Sequence, residues 1–434
     1  MKKTLYGTTA IVALGLAIVA AAPASAQAPA QGFSSTNFQF TVGGLARGYV
    51  GGLSQHDNVA SWTSNGAAAP TAGQQGATQR FDVQRDWRLD LTAAANLPNG
   101  MRATTVVQLQ NLSVAQTTTA FTESYIRRNW VALSGGFGDV RIGSIDPVTM
   151  QMAQGAMDAF TAGSAKTGKI YDYMQTANIF SRDDTALGAT NNIRLYDRSS
   201  EKIAYFTPRI EGFQLGVNYT PEASKDKNSA LATSAGGVYN RGYAAAVNYV
   251  NTFSGVGVRG SASYIKWNAP VNAANGGVDP SDASAWGLGL GFTYMGFDLG
   301  GSYGNYSDVM SAGRIDGGAG IATLSNRFIG DGSSYELGLG YSTGPVRVSL
   351  NWFAGEMKSV KSVAASGVVT TIANTGNDKL QTIALNGAYI LGPGVNLEAS
   401  LFNSRSTAPF SSTVANVRNK QDATGIVTGI ILSF

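Results

Sequence analysis

From Asn37 onward, apolar and polar residues alternate along most of the chain, the period of strands with one apolar face. Val346, Val348, Leu350 and Trp352 point one way, and Arg347, Ser349 and Asn351 the other. Phe213–Tyr219, Tyr335–Tyr341 and Val395–Leu401 repeat the pattern. The alternation predicts about sixteen strands, most of them about ten residues long, which is what a tilted strand needs to cross a bilayer.

Alternation does not say which face is wet. A soluble sandwich buries the apolar face, whereas a membrane barrel turns it to lipid and lines its interior with polar groups. The connections decide. Short ones built from turn-forming residues, such as Leu97-Pro98-Asn99-Gly100, Phe253-Ser254-Gly255 and Gly392-Pro393-Gly394, alternate with long ones at 52–79, 113–120, 144–198, 221–239, 268–283, 307–331, 357–378 and 404–420. Short turns at one end and long loops at the other are the asymmetry of an outer-membrane barrel. The expected fold is therefore all-β: a transmembrane antiparallel β-barrel of about sixteen strands. Aromatic residues near strand ends, among them Phe38, Trp130, Tyr205, Tyr219, Trp286, Tyr335 and Tyr389, are expected as girdles at the two membrane boundaries.

Composition narrows this further. The start Met1-Lys2-Lys3, an apolar run from Ile11 to Ala22 and the sequence Ala24-Ser25-Ala26 predict a cleaved signal peptide over residues 1–26 and a mature barrel domain over 27–434. The formal net charge is +4, and Lys2 and Lys3 supply two of those charges, so nothing points to nucleic acid. There is no cysteine, so an exported chain must rely on packing and hydrogen bonds. The last strand, ending at Phe434, is expected to close the barrel against the first at the short-turn rim, with Phe434, Leu432, Ile430 and Ile426 toward lipid.

Two segments add a family resemblance. One is the hairpin 125–143, with Leu133-Ser134-Gly135-Gly136-Phe137-Gly138-Asp139-Val140-Arg141-Ile142-Gly143 at its turn. The other is Lys202-Ile203-Ala204-Tyr205-Phe206-Thr207-Pro208, continuing to Gly212-Phe213 and Tyr219. They flank the longest loop, and the chain ends in Phe; the whole resembles the general diffusion porins of Gram-negative bacteria. The resemblance implies a homotrimer in the outer membrane, with lipid and lipopolysaccharide around it, the barrel-assembly machinery and periplasmic chaperones as folding partners, and small hydrophilic solutes and ions as cargo. It also implies that the third long loop, about 144–198, folds into the pore and narrows it. Related sequences often carry a basic residue where this chain has Ser144, so one pore charge is expected to be missing.

The alternation itself supplies lumen candidates. With Trp87, Leu89 and Leu91 toward lipid, Arg88 and Asp90 face water, and by the same count Arg47, Arg102, Arg127, Arg141, Arg259 and Arg347 do so too. An Arg on the lipid face near the midplane costs about 2–4 kcal/mol. The third loop carries Asp146, Asp158, Asp172, Asp183 and Asp184, and its stretch 148–156 reads as a short helix. A basic wall facing an acidic loop would impose a transverse field on passing solutes. Some of these arginines are expected simply to pair with nearby carboxylates such as Asp90.

Catalytic chemistry has little to start from. The single histidine, His56, lies in the first long loop, which disfavours a Ser-His-Asp triad and a zinc site alike. No cofactor or metal is expected. The carboxylates of 308–316 are poorly spaced even for calcium. A passive porin is the leading expectation, a substrate-selective channel for a sugar or for an anion such as phosphate is the alternative, and an enzyme, adhesin or plugged receptor is disfavoured.

Overall fold

In the computed structural model, the described residues are 38–56, 80–110, 125–157, 173–174, 176, 180, 186–188, 190–197, 200–223, 239–269, 281–310, 327–363, 369–371, 376–408 and 420–434. The segment expected to be a signal peptide, 1–26, lies outside them. They form strands β1 (Phe38–Ser54), β2 (Phe81–Asn96), β3 (Arg102–Gln110), β4 (Tyr125–Gly135), β5 (Gly138–Ser144), β6 (Glu201–Phe206), β7 (Phe213–Glu222), β8 (Asn240–Phe253) and β9 (Val256–Asn268). The wall continues with β10 (Ala283–Tyr294), β11 (Phe297–Met310), β12 (Arg327–Thr343), β13 (Val346–Val363), β14 (Val369–Thr371), β15 (Asn377–Gly392), β16 (Val395–Thr407) and β17 (Lys420–Ser433). No helix among the described residues is long and apolar enough to cross a membrane.

Each strand pairs antiparallel with the next, and β17 returns to β1, so the sheet has no open edge. The three-residue β14 pairs only with the far tip of β13, while β13 also pairs directly with β15. Sixteen strands therefore close the barrel. Closure lets every wall strand pair on both sides, which the dry membrane interior requires.

The short connections show why hairpins form where they do. Ser254-Gly255 and Met295-Gly296 each place two successive residues at positive φ, the backbone of a two-residue turn whose twist matches the strands it joins. Several strands run beyond their expected ends. β13 reaches Val363 although a loop was expected from 357, because its ladder with β12 continues past the apolar stretch.

The two faces separate cleanly. On β10, Leu288 and Leu290 are 49% and 51% exposed, while Cβ atoms built at Gly287 and Gly289 would collide with Asn191 and with the Gln154 carbonyl. The apolar row looks outward and the glycine row receives chain packed inside. On β17, Ile426, Ile430, Leu432 and Phe434 are exposed, and Val427 and Ile431 are buried on the inner face. One expected girdle residue is misplaced. Trp130 stands opposite Val106, in the row beside Arg128–Gln108, and lies on the lumen side beneath Arg141, 5.1 Å from the guanidinium carbon. A cation over its ring, rather than a membrane boundary, accounts for its place.

The Phe434 backbone donates to the Gly44 carbonyl at 3.1 Å and accepts from the Gly44 N–H at 2.8 Å, sealing the β1–β17 seam. A Cβ at Gly44 would sit 3.0 Å from the Phe434 ring, so the glycine admits the ring to the outer surface. Phe434→Ala is therefore expected to lower the yield of folded barrel severalfold on heat-modifiability gels while the surviving channels keep the parent conductance. An unchanged yield with an altered pore would contradict this role.

Candidate functional site: the lumen and its inward loop

Pro147–Met157 runs along the inner wall away from β5. The Val148 N–H donates to Asn218 Oδ1 on β7 at 2.9 Å, and the Met152 carbonyl accepts from Asn248 on β8 at 3.4 Å. The Gln154 N–H reaches Ser261 on β9 at 2.9 Å, and the Met157 N–H reaches Asp298 on β11 at 3.2 Å. The Met157 carbonyl accepts from Asn351 on β13 at 3.0 Å. The returning stretch retraces this path: the Tyr306 hydroxyl on β11 donates to the Thr190 carbonyl at 3.2 Å, and Asp197 ends beside β6 and β7.

The helix expected over 148–156 is a single turn, Val148–Gln151. Beyond it, wall side chains take the backbone groups that a longer helix would use internally. Arg259 donates to the Gly155 carbonyl at 2.7 and 3.1 Å. Val148 and Met152 are fully or nearly buried and join Phe206, Ile193, Leu195, Ile265 and Trp267 in an apolar core inside the barrel. Each such side chain contributes about 1.5–3 kcal/mol by leaving water.

Both ends of the loop are tied by buried charge. Lys202 and Asp197 pair at 2.8 Å, and neither side chain is exposed. The ammonium also donates to the carbonyls of Ile145, where the loop leaves β5, and Ser200, at 2.5 Å, where it returns. Thr220 donates to Asp197 at 2.9 Å. Burial raises the Asp197 carboxyl above the ordinary range, against the opposing pull of Lys202 and Thr220. Asp146 behaves oppositely. Burial pushes it up, but Arg128, Arg127, Arg194 and Lys202 together overcome this and hold it below the ordinary range. Asp146 pairs directly with Arg128.

The lumen candidates are mostly neutralised close by. Arg47 on β1 pairs with Asp86, its direct cross-strand neighbour, at 2.6 Å. Arg88 pairs with Asp90 at 2.9 Å, and Gln108 shares that carboxylate at 2.8 Å. Arg141 takes Asp139 at 2.7 Å, reaches Gln151 at 3.0 Å, and stacks over Trp130 and Phe206. Arg259 holds Asp298 at 2.7 Å. Arg127 comes inward through a β-bulge that shifts the β3–β4 register after Gln108, and bonds Gln110. Arg102 is exposed and Arg347 half-buried, each at the short-turn end of its strand.

Asp158, Asp172, Asp183 and Asp184 lie outside the described residues, as does Asp316. Among the described residues, no three His, Asp or Glu side chains gather as a metal site. Sequence reasoning missed Arg128, Lys202, Asp197, Asp86, Asp139 and Asp298. Strand parity could have found Asp86 and Asp139, which stand two residues from Arg88 and Arg141. Arg128 was hidden by the bulge, and Lys202 by the burial that only the docked loop creates.

Comparisons with known proteins agree with this architecture. The family model described as Gram-negative porin matches residues 8–408. No curated protein matches by sequence. Among solved structures, the anion-selective porin from Comamonas acidovorans is 17% identical, with a TM-score of 0.55, covering 92% of this chain and 100% of that one. The trimer form of in-vitro folded OmpT, an outer membrane protein of Vibrio cholerae, is 10% identical, with a TM-score of 0.53 and coverages of 92% and 100%. Salmonella typhi OmpF, in complex with daunomycin, is 11% identical, with a TM-score of 0.51 and coverages of 92% and 100%. Identities this low speak for the fold alone.

Proposed function

The chain belongs to the Gram-negative porin family, and from that premise we propose how its lumen selects what passes. It is an outer-membrane channel for passive diffusion of small hydrophilic solutes and ions. The observation that carries the finer reading is the inward loop: 147–157 is hydrogen-bonded to the inner wall from β7 to β13, on Asn218, Asn248, Ser261, Asp298 and Asn351. With that side filled, and the inner faces of β15–β17 buried as well, the passage runs past β1–β4, where Arg47, Asp86, Arg88 and Asp90 form close pairs of opposite sign. Such pairs leave a strong local field and little net charge, which orients dipolar solutes and repels apolar ones.

Removal of residues 1–26 on export, a mature domain over 27–434, homotrimeric assembly, a lipopolysaccharide-bearing surround and delivery by chaperones and the barrel-assembly machinery complete the proposal. The trimer form among the structural neighbours supports the assembly. A catalytic or cofactor role has little to build on: His56, the single histidine, has its backbone tied to Gln421 at the end of β1.

Purified protein in planar bilayers is expected to give large conductance steps that rise linearly with salt. Saturable block by one sugar or by phosphate would favour a substrate-selective channel instead, and folded protein that gives no steps would overturn both readings.

A further inference from the structure

The four pairs just described, Arg47–Asp86, Arg88–Asp90, Arg141–Asp139 and Arg259–Asp298, take most of the candidate wall out of the charge balance. Of what they leave, Arg127 lies inside, bonding Gln110, and Arg102 and Arg347 lie at one end. Arg102 is the first residue of β3, directly after the Pro98–Gly100 turn, and Arg347 is the second residue of β13, directly after Gly344-Pro345. Neither side chain has a hydrogen bond or ion pair among the described residues. Arg209, in the turn between β6 and β7, bends over the same rim to neutral acceptors on the inner side. It donates to the Gly212 carbonyl at 2.6 Å, Gln214 at 3.0 Å and Asn248 at 2.9 Å.

The carboxylates around these groups cancel them only in part. Asp139 stands two strands from Arg102, across Ser134, and is held by Arg141. Glu398, buried two strands from Arg347 across Ala388, offsets part of the Arg347 charge. Asp298, on β11, is held by Arg259. Glu211, in the same turn as Arg209, offsets one of the three cations. The rim at the short-turn end thus keeps an excess of positive charge on β3, the β6–β7 turn and β13, spread around the barrel.

We propose that Arg102, Arg209 and Arg347 form an anion-gathering ring at the short-turn mouth, which makes that mouth the element setting the channel's preference for small anions, inorganic chloride and phosphate among them. The inference rests on the channel reading above. Fixed cations at a pore mouth raise the local anion concentration, and because this mouth is wet the effect is screened by salt, over about 10 Å at 0.1 M and about 3 Å at 1 M.

Arg102→Gln with Arg347→Gln is the informative variant, since neither side chain makes a hydrogen bond or ion pair among the described residues. In a potassium chloride gradient, the chloride-over-potassium permeability ratio is expected to fall about two- to fivefold at 0.1 M, the range for one or two unit charges acting through water, and to change little at 1 M. The loss is expected to be larger when the dilute solution bathes the short-turn mouth, and Arg102→Lys with Arg347→Lys is expected to keep the parent ratio. The same order is expected with potassium phosphate. A conducting glutamine variant with an unchanged ratio, or a loss equal from both sides, would overturn the ring while leaving the channel reading intact. A parent protein that forms no channel would overturn the channel reading itself.

Discussion

Lys202→Met is expected to turn a quiet channel into a noisy one. The Lys202 ammonium joins the departing and returning ends of the inward loop through Ile145, Ser200 and Asp197, in a place with no exposure. Methionine fills similar volume and carries no donor, so Asp197 stays buried without its cation. Removing one partner of a buried pair costs about 3–5 kcal/mol, because the other charge is left uncompensated. Asp197, already raised by burial, moves up further and escapes part of that cost by taking a proton. The loop root loosens, and single-channel records should show flicker and substates that the parent lacks. Adding Asp197→Asn should recover part of the loss, since no charge then remains to strand. Traces indistinguishable from the parent would mean that the apolar core alone holds the loop.

The second large effect is expected from a single methyl group. A Cβ at Gly289 would lie 1.8 Å from the Gln154 carbonyl oxygen and 2.2 Å from the Asn191 amide nitrogen. The obstacle is largely backbone, so rotamer changes cannot absorb it. Overpacking a tight contact costs about 1–3 kcal/mol, enough to lower the loop's docked-to-undocked ratio about five- to 150-fold. Gly289→Ala should therefore raise conductance and admit larger neutral solutes. Gly48→Ala is the matching control, on the outward row of β1 with nothing within 4 Å of a built Cβ. If both variants conduct like the parent, the glycine row on β10 does not seat the loop.

These two residues differ in how visible they were before folding. Gly289 belongs to the run Gly287-Leu288-Gly289-Leu290-Gly291, whose period of two marks a strand with leucine on one face and glycine on the other. That the glycine row faces packed chain, rather than open water, follows only from the loop lying against it. Lys202 falls on the face shared with Ala204 and Phe206, so parity alone would place it toward the lumen, as one more exposed cation. Its burial comes from residues nearly sixty positions earlier and from Asp197 just before it.

The same division holds for the wall arginines. Strand parity placed Arg47, Arg88, Arg141 and Arg259 on the inner face, because an arginine in lipid is costly and alternation is local. Apart from Asp90, which pairs with Arg88, it could not assign their partners. Asp86 meets Arg47 through the β1–β2 register, and Asp298 meets Arg259 across β9, β10 and β11, contacts that exist only once the strands are paired. Arg127 and Arg128 both reach inward only because a bulge interrupts the alternation, and Trp130 left its expected girdle to pack beneath Arg141.

By itself, then, the sequence determined the strand period, the two-faced wall, the alternation of short turns with long loops and the position of Phe434 at the closing seam. All of these depend on neighbours within a few residues or on the solvent each face must meet. Only the tertiary structure decided which charges cancel, where the inward loop docks and which arginines keep their charge for the solute. Those outcomes depend on residues far apart in the chain, and an ion pair or a collision is defined by distance in space, which periodicity does not carry.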